Sequence, residues 1–291
     1  MLYEGKVYRP PSESGSLILQ LTVGCPHNSC YFCSMYRQQK FKMKSLQEIK
    51  EHVLKARQFH SGPVRTIFLA DGNSIIMKTD RLARALSFIR DNFPEVERIT
   101  SYGSARFVIL KSEAELRKLR KEGLDRIHTG MESGSLKVLE KINKGSTPEE
   151  IVEAGKRVKE AGMELSEYYL VGVGGEEHSD EHARESARVI NRINPDFIRF
   201  RTFIPIPDTE LYQQYQQGDF NLLSPHQALE EIEIFLENIS GITSRVLSDH
   251  ISNYWDISGK LPEDRERMLA EVEEALKIDE SKFRDPARGR L

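Results

Sequence analysis

The chain's only three cysteines, Cys25, Cys30 and Cys33, fall within nine residues, with four residues between the first two and two between the last two. An odd number of thiols in a chain with no export signal argues against a disulfide framework. Three thiolates on one loop suit a soft metal centre instead. They hold three irons of a [4Fe–4S] cube and leave the fourth open, whereas electron-transfer clusters normally take four Cys ligands. An open iron implies chemistry at the metal. Two other readings use the same residues: a zinc knuckle completed by His27, and three buried structural cysteines.

Other polar residues gather where strands should end. Asp71, Gly72 and Asn73 follow an apolar run and form a turn-promoting trio. Glu132, Ser133 and Ser135 follow another; Glu132 can accept from hydroxyls or an ammonium, and the serines can donate to a carboxylate. Ser135 also fits as a helix cap. Gly172 and Gly174 lie in a Gly-Val-Gly-Gly turn that lets backbone approach a flat ring closely. Arg199 and Arg201 alternate with Ile198, Phe200 and Thr202, so both face one side, where they suit either an inward carboxylate or phosphate contact or an outward salt bridge. Tyr168 and His250, the latter in the polar run Ser248 to Trp255, are candidate catalytic groups.

The Cys-rich loop after a first strand, with Phe32 just before the last Cys, resembles the radical S-adenosylmethionine (SAM) superfamily. The resemblance runs from Ser16 to Pro207, although the superfamily's common spacing is three and two. It implies an α/β fold, a partial TIM-type (β/α)6 barrel with a C-terminal helical extension. It also implies a [4Fe–4S] cluster on Cys25, Cys30 and Cys33, with SAM chelating the open iron through its amino and carboxylate groups. Asp71-Gly72-Asn73 stands where the family carries a Gly-Gly-Glu-like motif, Gly72 being the clear equivalent. The segment from Thr129 to Ser135 is similar to the Gly-x-Glu/Gln-Ser-Gly stretch of the coproporphyrinogen dehydrogenase, methylthiotransferase and Elongator-type branch, where the acidic or amide residue and the serines face SAM. Gly172 and Gly174 resemble the adenine-binding turn. The implied activity is reductive SAM cleavage to methionine and a 5′-deoxyadenosyl radical, with an external flavodoxin- or ferredoxin-like reductant. The alternative is a SAM-binding Fe–S or haem-delivery protein without radical turnover. With no second cysteine cluster, a small-molecule substrate follows by elimination.

Positioning such strand ends requires repeated βα units. Strands are expected at Leu17–Val23, Thr66–Ala70, Arg98–Tyr102, Arg126–Thr129, Glu164–Val171 and Phe197–Phe203, with Thr243–Ser248 a candidate seventh. Between them, Ser45 with Glu48 and Ser112 with Glu115 form capping boxes. Thr147-Pro148 and Ser224-Pro225 open helices with proline at the first helical position. Gly123 and Gly162 end helices before strands. These features divide the chain into an arm (1–15), a core (16–215) and an extension (216–291). A last helix is expected over Glu263–Ile278 and a frayed end over Asp279–Leu291. A net charge of −3 from 42 Lys+Arg and 45 Asp+Glu removes any broad drive towards nucleic acid. The basic segment Arg117 to Lys121 reads as a solvated helix face. No membrane span or leader is legible, which gives a cytoplasmic expectation.

Overall fold

The computed structural model describes residues 3–285. Ten strands occur among them: β1 (Leu17–Gln20), β2 (Thr22–Val23), β3 (Lys42–Met43), β4 (Thr66–Ala70), β5 (Arg98–Tyr102), β6 (Leu124–Glu132), β7 (Glu164–Val171), β8 (Phe197–Thr202), β9 (Arg245–Leu247) and β10 (Gly259–Lys260). The α-helices are α1 (Leu46–Phe59), α2 (Thr79–Asn92), α3 (Ala105–Val108), α4 (Glu113–Lys121), α5 (Leu136–Lys141), α6 (Pro148–Glu160), α7 (Ser179–Ile193), α8 (Glu210–Gln217), α9 (Pro225–Glu237) and α10 (Arg265–Ala275). Eight strands form one sheet in the order β1-β4-β5-β6-β7-β8-β9-β10, and its two end strands do not pair with each other. The fold is therefore α/β with a mostly parallel, unclosed sheet, as a partial barrel requires.

The chain divides into two compact units. The first comprises Met1–Asn28, Met35–Thr129 and Glu153–Leu165, and the second comprises Ser29–Ser34, Gly130–Val152 and Ser166–Leu291. In the first, β1, β4 and β5 pair in parallel, with Leu19 opposite Leu69 and Phe68 opposite Thr100. Their alternate residues Ile67, Leu69 and Ile99 are fully buried, as are Val53 of α1 and Leu86 and Ile89 of α2. Glu13 of the N-terminal arm is buried too, accepting from Ser16 Oγ at 2.6 Å and lying 3.1 Å from His128 Nε2. The basic face of α4 is solvated as expected, Arg117 pairing with Glu113 and Lys118 with Asp80.

In the second unit, β7 and β8 run parallel with Tyr169 opposite Phe200. Tyr169 stacks on His182 of α7 at 4.7 Å and on Phe235 of α9 at 4.8 Å, which ties both helices to the sheet. Strand β9 adds parallel to β8, and β10 adds antiparallel to β9.

Local signals worked where one residue could satisfy a backbone group. Both predicted capping boxes form, and so does a third at Ser224 and Gln227. Thr147 and Glu150 exchange the same reciprocal pair of bonds. Three expectations change. The expected strand Leu17–Val23 breaks at Leu21, whose N–H still donates to Ala70 O while Thr22–Val23 pairs antiparallel with Lys42–Met43. The strand expected at Arg126–Thr129 extends over Leu124–Glu132, because its flanking Leu124 and Met131 are buried as well. The expected frayed end is anchored up to 285: Glu280 accepts from Ser224 Oγ, and Phe283 packs on Trp255. The remainder of that expected terminus, 286–291, lies outside the described residues. No helix among the described residues is long and apolar enough to cross a membrane.

Candidate functional site

In the first unit, the turn after β4 sits against the start of the cysteine loop. Gly72 N–H donates to Gly24 O at 3.2 Å. A Cβ on Gly72 would lie 3.0 Å from Cys25 Cβ and 3.2 Å from Gly24 O, so a larger residue would press the cysteine loop back by a few tenths of an ångström. Asp71 is fully buried and accepts from Gln20 Nε2 at 2.7 Å, Gly24 N–H at 3.3 Å and Tyr36 Oη at 3.4 Å. Burial outweighs these donors and pushes its carboxyl up to about 6. Its carboxylate thus holds the cysteine loop by hydrogen bonds. Asn73 accepts from Ser104 N–H at 2.5 Å through its carbonyl, and its amide nitrogen lies 4.0 Å from Cys25 Sγ. Gln20 and Tyr36 carried no sequence signal as partners of this turn.

In the second unit, Cys30 and Cys33 lie on a segment tied down by backbone bonds. Tyr31 N–H donates to Ile142 O at 2.9 Å, Leu211 N–H donates to Tyr31 O at 3.0 Å, and Asn143 Nδ2 donates to Ser29 O at 2.8 Å. Tyr31 and Phe32 pack against a buried cluster that includes Val138, Ile142, Leu170 and Phe203. Beside them, Lys144 Nζ pairs with Glu132 Oε1 at 2.9 Å and lies 5.6 Å from the centre of the Phe32 ring. Burial opposes the Lys144 charge, but the Glu132 carboxylate and the thiols of Cys30 and Cys33 outweigh it and hold the ammonium above its usual range. Glu132 itself sits at φ 62, in the left-handed region. Backbone strain at a mostly buried ion pair is a combination that clusters at functional sites. Lys144 was missed in the sequence, where it reads as an ordinary basic residue after α5.

The two serines after Glu132 are occupied within the fold. Ser133 Oγ accepts from Ser135 N–H and contacts His182 Nδ1 at 2.8 Å. Ser135 Oγ donates to Glu181 at 2.6 Å and accepts from Val138 N–H, so it caps α5. Gly172 has φ +78, a conformation that favours glycine, and its N–H donates to Glu231 Oε1 at 2.8 Å. Gly174 O lies 3.4 Å from Lys141 Nζ. Glu231 is a buried carboxylate on α9 that also accepts from Tyr169 Oη at 2.9 Å and Ser179 Oγ at 2.6 Å. It occupies the apolar stripe of α9 defined by Ala228, Ile232 and Phe235, and that misplaced charge was a signal available in the sequence. Glu167 on β7 is 1% exposed, and burial holds its carboxyl well above the usual range.

Arg199 and Arg201 do share a face of β8. Arg199 Nε donates to Ser166 Oγ at 3.0 Å, and the Arg201 guanidinium lies over the Tyr168 ring at 5.0 Å. His250 is half-buried; burial and the Arg201 charge lower its pKa to about 4.

None of the three cysteines is in a disulfide, and all are half-buried. No three His, Cys, Asp or Glu side chains among the described residues converge on one ion position. A cube needs no such convergence, because each thiolate binds its own iron. His27 Nδ1 is engaged by the Arg106 guanidinium at 2.6 Å. An amide near Cys25 and an ammonium near Cys30 and Cys33 are the polar surroundings that tune an iron–sulfur centre. The donor set therefore fits the cube.

Comparison with known proteins agrees. Residues 19–190 match the family model described as the radical SAM superfamily. An uncharacterized protein of Methanocaldococcus jannaschii is 23% identical over 94% of this chain and 86% of that protein. An uncharacterized methyltransferase of Pyrococcus horikoshii is 25% identical over 67% of this chain, which spans 41% of its length. Among solved structures, coproporphyrinogen III oxidase from Escherichia coli, titled a radical SAM enzyme, superposes with a TM-score of 0.57 and 19% identity over 76% of this chain and 51% of that one. That likeness carries the fold, the partial TIM-type barrel. The chain thus belongs to the radical SAM superfamily, whose members are enzymes that bind a [4Fe–4S] cluster and S-adenosylmethionine and draw on an external electron donor.

Proposed function

We propose that Cys25, Cys30 and Cys33 hold the cluster, and that this enzyme cleaves SAM reductively to methionine and a 5′-deoxyadenosyl radical, which abstracts hydrogen from a small-molecule substrate. When bound, the cluster supplies the single electron that breaks the sulfonium C–S bond, and a flavodoxin- or ferredoxin-like donor replaces it. Lys144 offers its ammonium to the SAM carboxylate. Glu132 accepts from the ribose hydroxyls or the SAM ammonium, and Asn73 donates towards Cys25. Gly72, Gly172 and Gly174 let backbone approach the cofactor. Phe32, seated on the apolar cluster beside Leu170 and Phe203, keeps water from the reacting centre. We assign this chemistry to residues 16–215, with 1–15 as an arm and 216–291 as an extension, and the cytoplasm is a compartment that keeps such thiols reduced.

The observation that supports this reading best is the mostly buried Lys144–Glu132 pair beside Cys30 and Cys33. The test is anaerobic reconstitution with iron and sulfide, followed by SAM and dithionite and assay of 5′-deoxyadenosine and methionine. Both products should form in equal amounts and vanish when any one cysteine is replaced by Ala. A SAM-binding cluster that never cleaves SAM would overturn the radical reading in favour of a carrier.

A further inference from the structure

Strand β8 carries a cation that the fold itself does not neutralise. Its residues alternate, with Ile198, Phe200 and Thr202 buried and Arg199 and Arg201 half-buried. The buried set faces helices, as Phe200 packs on Tyr169 and Phe235. The arginines therefore face the opposite side of the sheet, together with Ser166 and Tyr168. Arg201 lies in the C-terminal half of a parallel strand, the end at which barrel enzymes hold their substrates.

Removing a guanidinium even partly from water is costly unless an anion compensates. No carboxylate among the described residues pairs with Arg201. Asp249, the nearest acidic residue in sequence to His250, is exposed and makes no ion pair with it. The contact Arg201 does make is with the Tyr168 ring, 5.0 Å from its guanidinium carbon, and a ring face supplies no oxygen acceptor for the N–H donors. His250 is joined to this strand end through Ser252, whose Oγ accepts from Thr202 N–H at 3.3 Å and contacts His250 Nδ1 at 2.7 Å. Ser252 N–H donates to His250 Nδ1 at 3.1 Å, so that nitrogen is an acceptor and the neutral ring carries its proton on Nε2. Because His250 stays uncharged at neutral pH, it does not repel the Arg201 cation.

We propose that Arg201, whose guanidinium lies over the Tyr168 ring, is the substrate-anchoring residue, and that the substrate carries an oxyanion, either a carboxylate or a phosphate group. This rests on the radical SAM reading, with Lys144 rather than Arg201 assigned to the SAM carboxylate. It narrows the substrate from any small molecule to an anionic one.

The test uses the reconstituted, SAM-loaded protein and isothermal titration with succinate and with inorganic phosphate, each against chloride at matched ionic strength. Saturable binding of succinate identifies a carboxylate, and of phosphate a phosphate. Arg201→Gln should weaken that binding about tenfold or more, as loss of a charge-assisted paired contact does, while Arg201→Lys retains part of it. Circular dichroism and the thermal midpoint of each variant verify the fold. No saturable binding of either probe to the wild-type protein, or equal binding by Arg201→Gln, overturns the proposal. Formation of 5′-deoxyadenosine is measured on the same wild-type preparation. Its absence with anion binding intact counts against the radical reading alone, and its presence with no anion binding counts against the anchoring site alone.

Discussion

Replacing Lys144 by Met and Glu132 by Gln, singly and together, measures how far the site depends on its internal ion pair. The two charges are 2.9 Å apart, and their side chains are 11% and 14% exposed. At an effective dielectric of about 20, the attraction is on the order of 6 kcal/mol, part of which offsets the desolvation of both groups. Lys144→Met strands a carboxylate in that setting and should destabilise the protein by about 3 kcal/mol. Glu132→Gln leaves Lys144 with only the nearby thiols as counter-charges and should cost about 2 kcal/mol, as loss of a hydrogen bond to a charged group does. With both charges gone, no stranded ion remains, so the double variant should be less destabilised than the sum by about 2 kcal/mol. The assay is anaerobic urea unfolding of the cluster-free protein with thiols reduced, at pH 7.5. Additivity within about 0.5 kcal/mol would refute the coupling and, with it, the view that Lys144 is held in place by Glu132. On reconstituted protein, Lys144→Met should weaken SAM binding about tenfold or more, and Lys144→Arg should restore part of it.

Glu231→Ala removes the acceptor shared by Tyr169 Oη, Gly172 N–H and Ser179 Oγ and should destabilise the protein by about 3 kcal/mol, with Gln costing less; urea midpoints that do not move would dismiss its structural role. Ser135→Ala should cost about 1 kcal/mol through loss of the α5 cap while leaving the KM for SAM unchanged, and a raised KM would assign that hydroxyl to the cofactor instead. His52 is 1% exposed; burial first, and then the Lys44 charge, lower its pKa from 6.5 to about 4. The unfolded chain therefore takes up a proton near pH 6.5 that the folded chain refuses, so stability present above that pH is lost as the pH falls towards 4. At pH 4.5 the loss is about 2–3 kcal/mol. His52→Leu should flatten this acid limb in unfolding experiments at pH 7.5 and 4.5, and an unchanged slope would place the acid sensitivity elsewhere.

The sequence alone determined whatever depends on a residue and its near neighbours. The thiols within nine residues pointed to a cluster loop because covalent spacing keeps them together wherever the loop goes. The Ser45 and Ser112 boxes were legible because capping is an exchange between residues three apart, and β4, β5 and β7 were legible as apolar runs between turn signals. The shared face of Arg199 and Arg201 followed from the period of two in a strand.

Tertiary structure decided which polar groups remain available. Asp71, Ser133 and Ser135 looked like cofactor contacts, yet each carries hydrogen bonds within the fold: to Gln20 and Tyr36, to His182, and to Glu181. Those partners lie from 35 to 51 residues away, too far for any local pattern to reveal them. Lys144 shows the converse. Its chemical value comes from being buried between Glu132 and the ring of Phe32, and burial depends on what the rest of the chain packs around a residue. A charge's energy depends on its neighbours and its distance from water, so spacing could point to candidate metal ligands, whereas only the folded chain could separate a clamped cation from a solvated one.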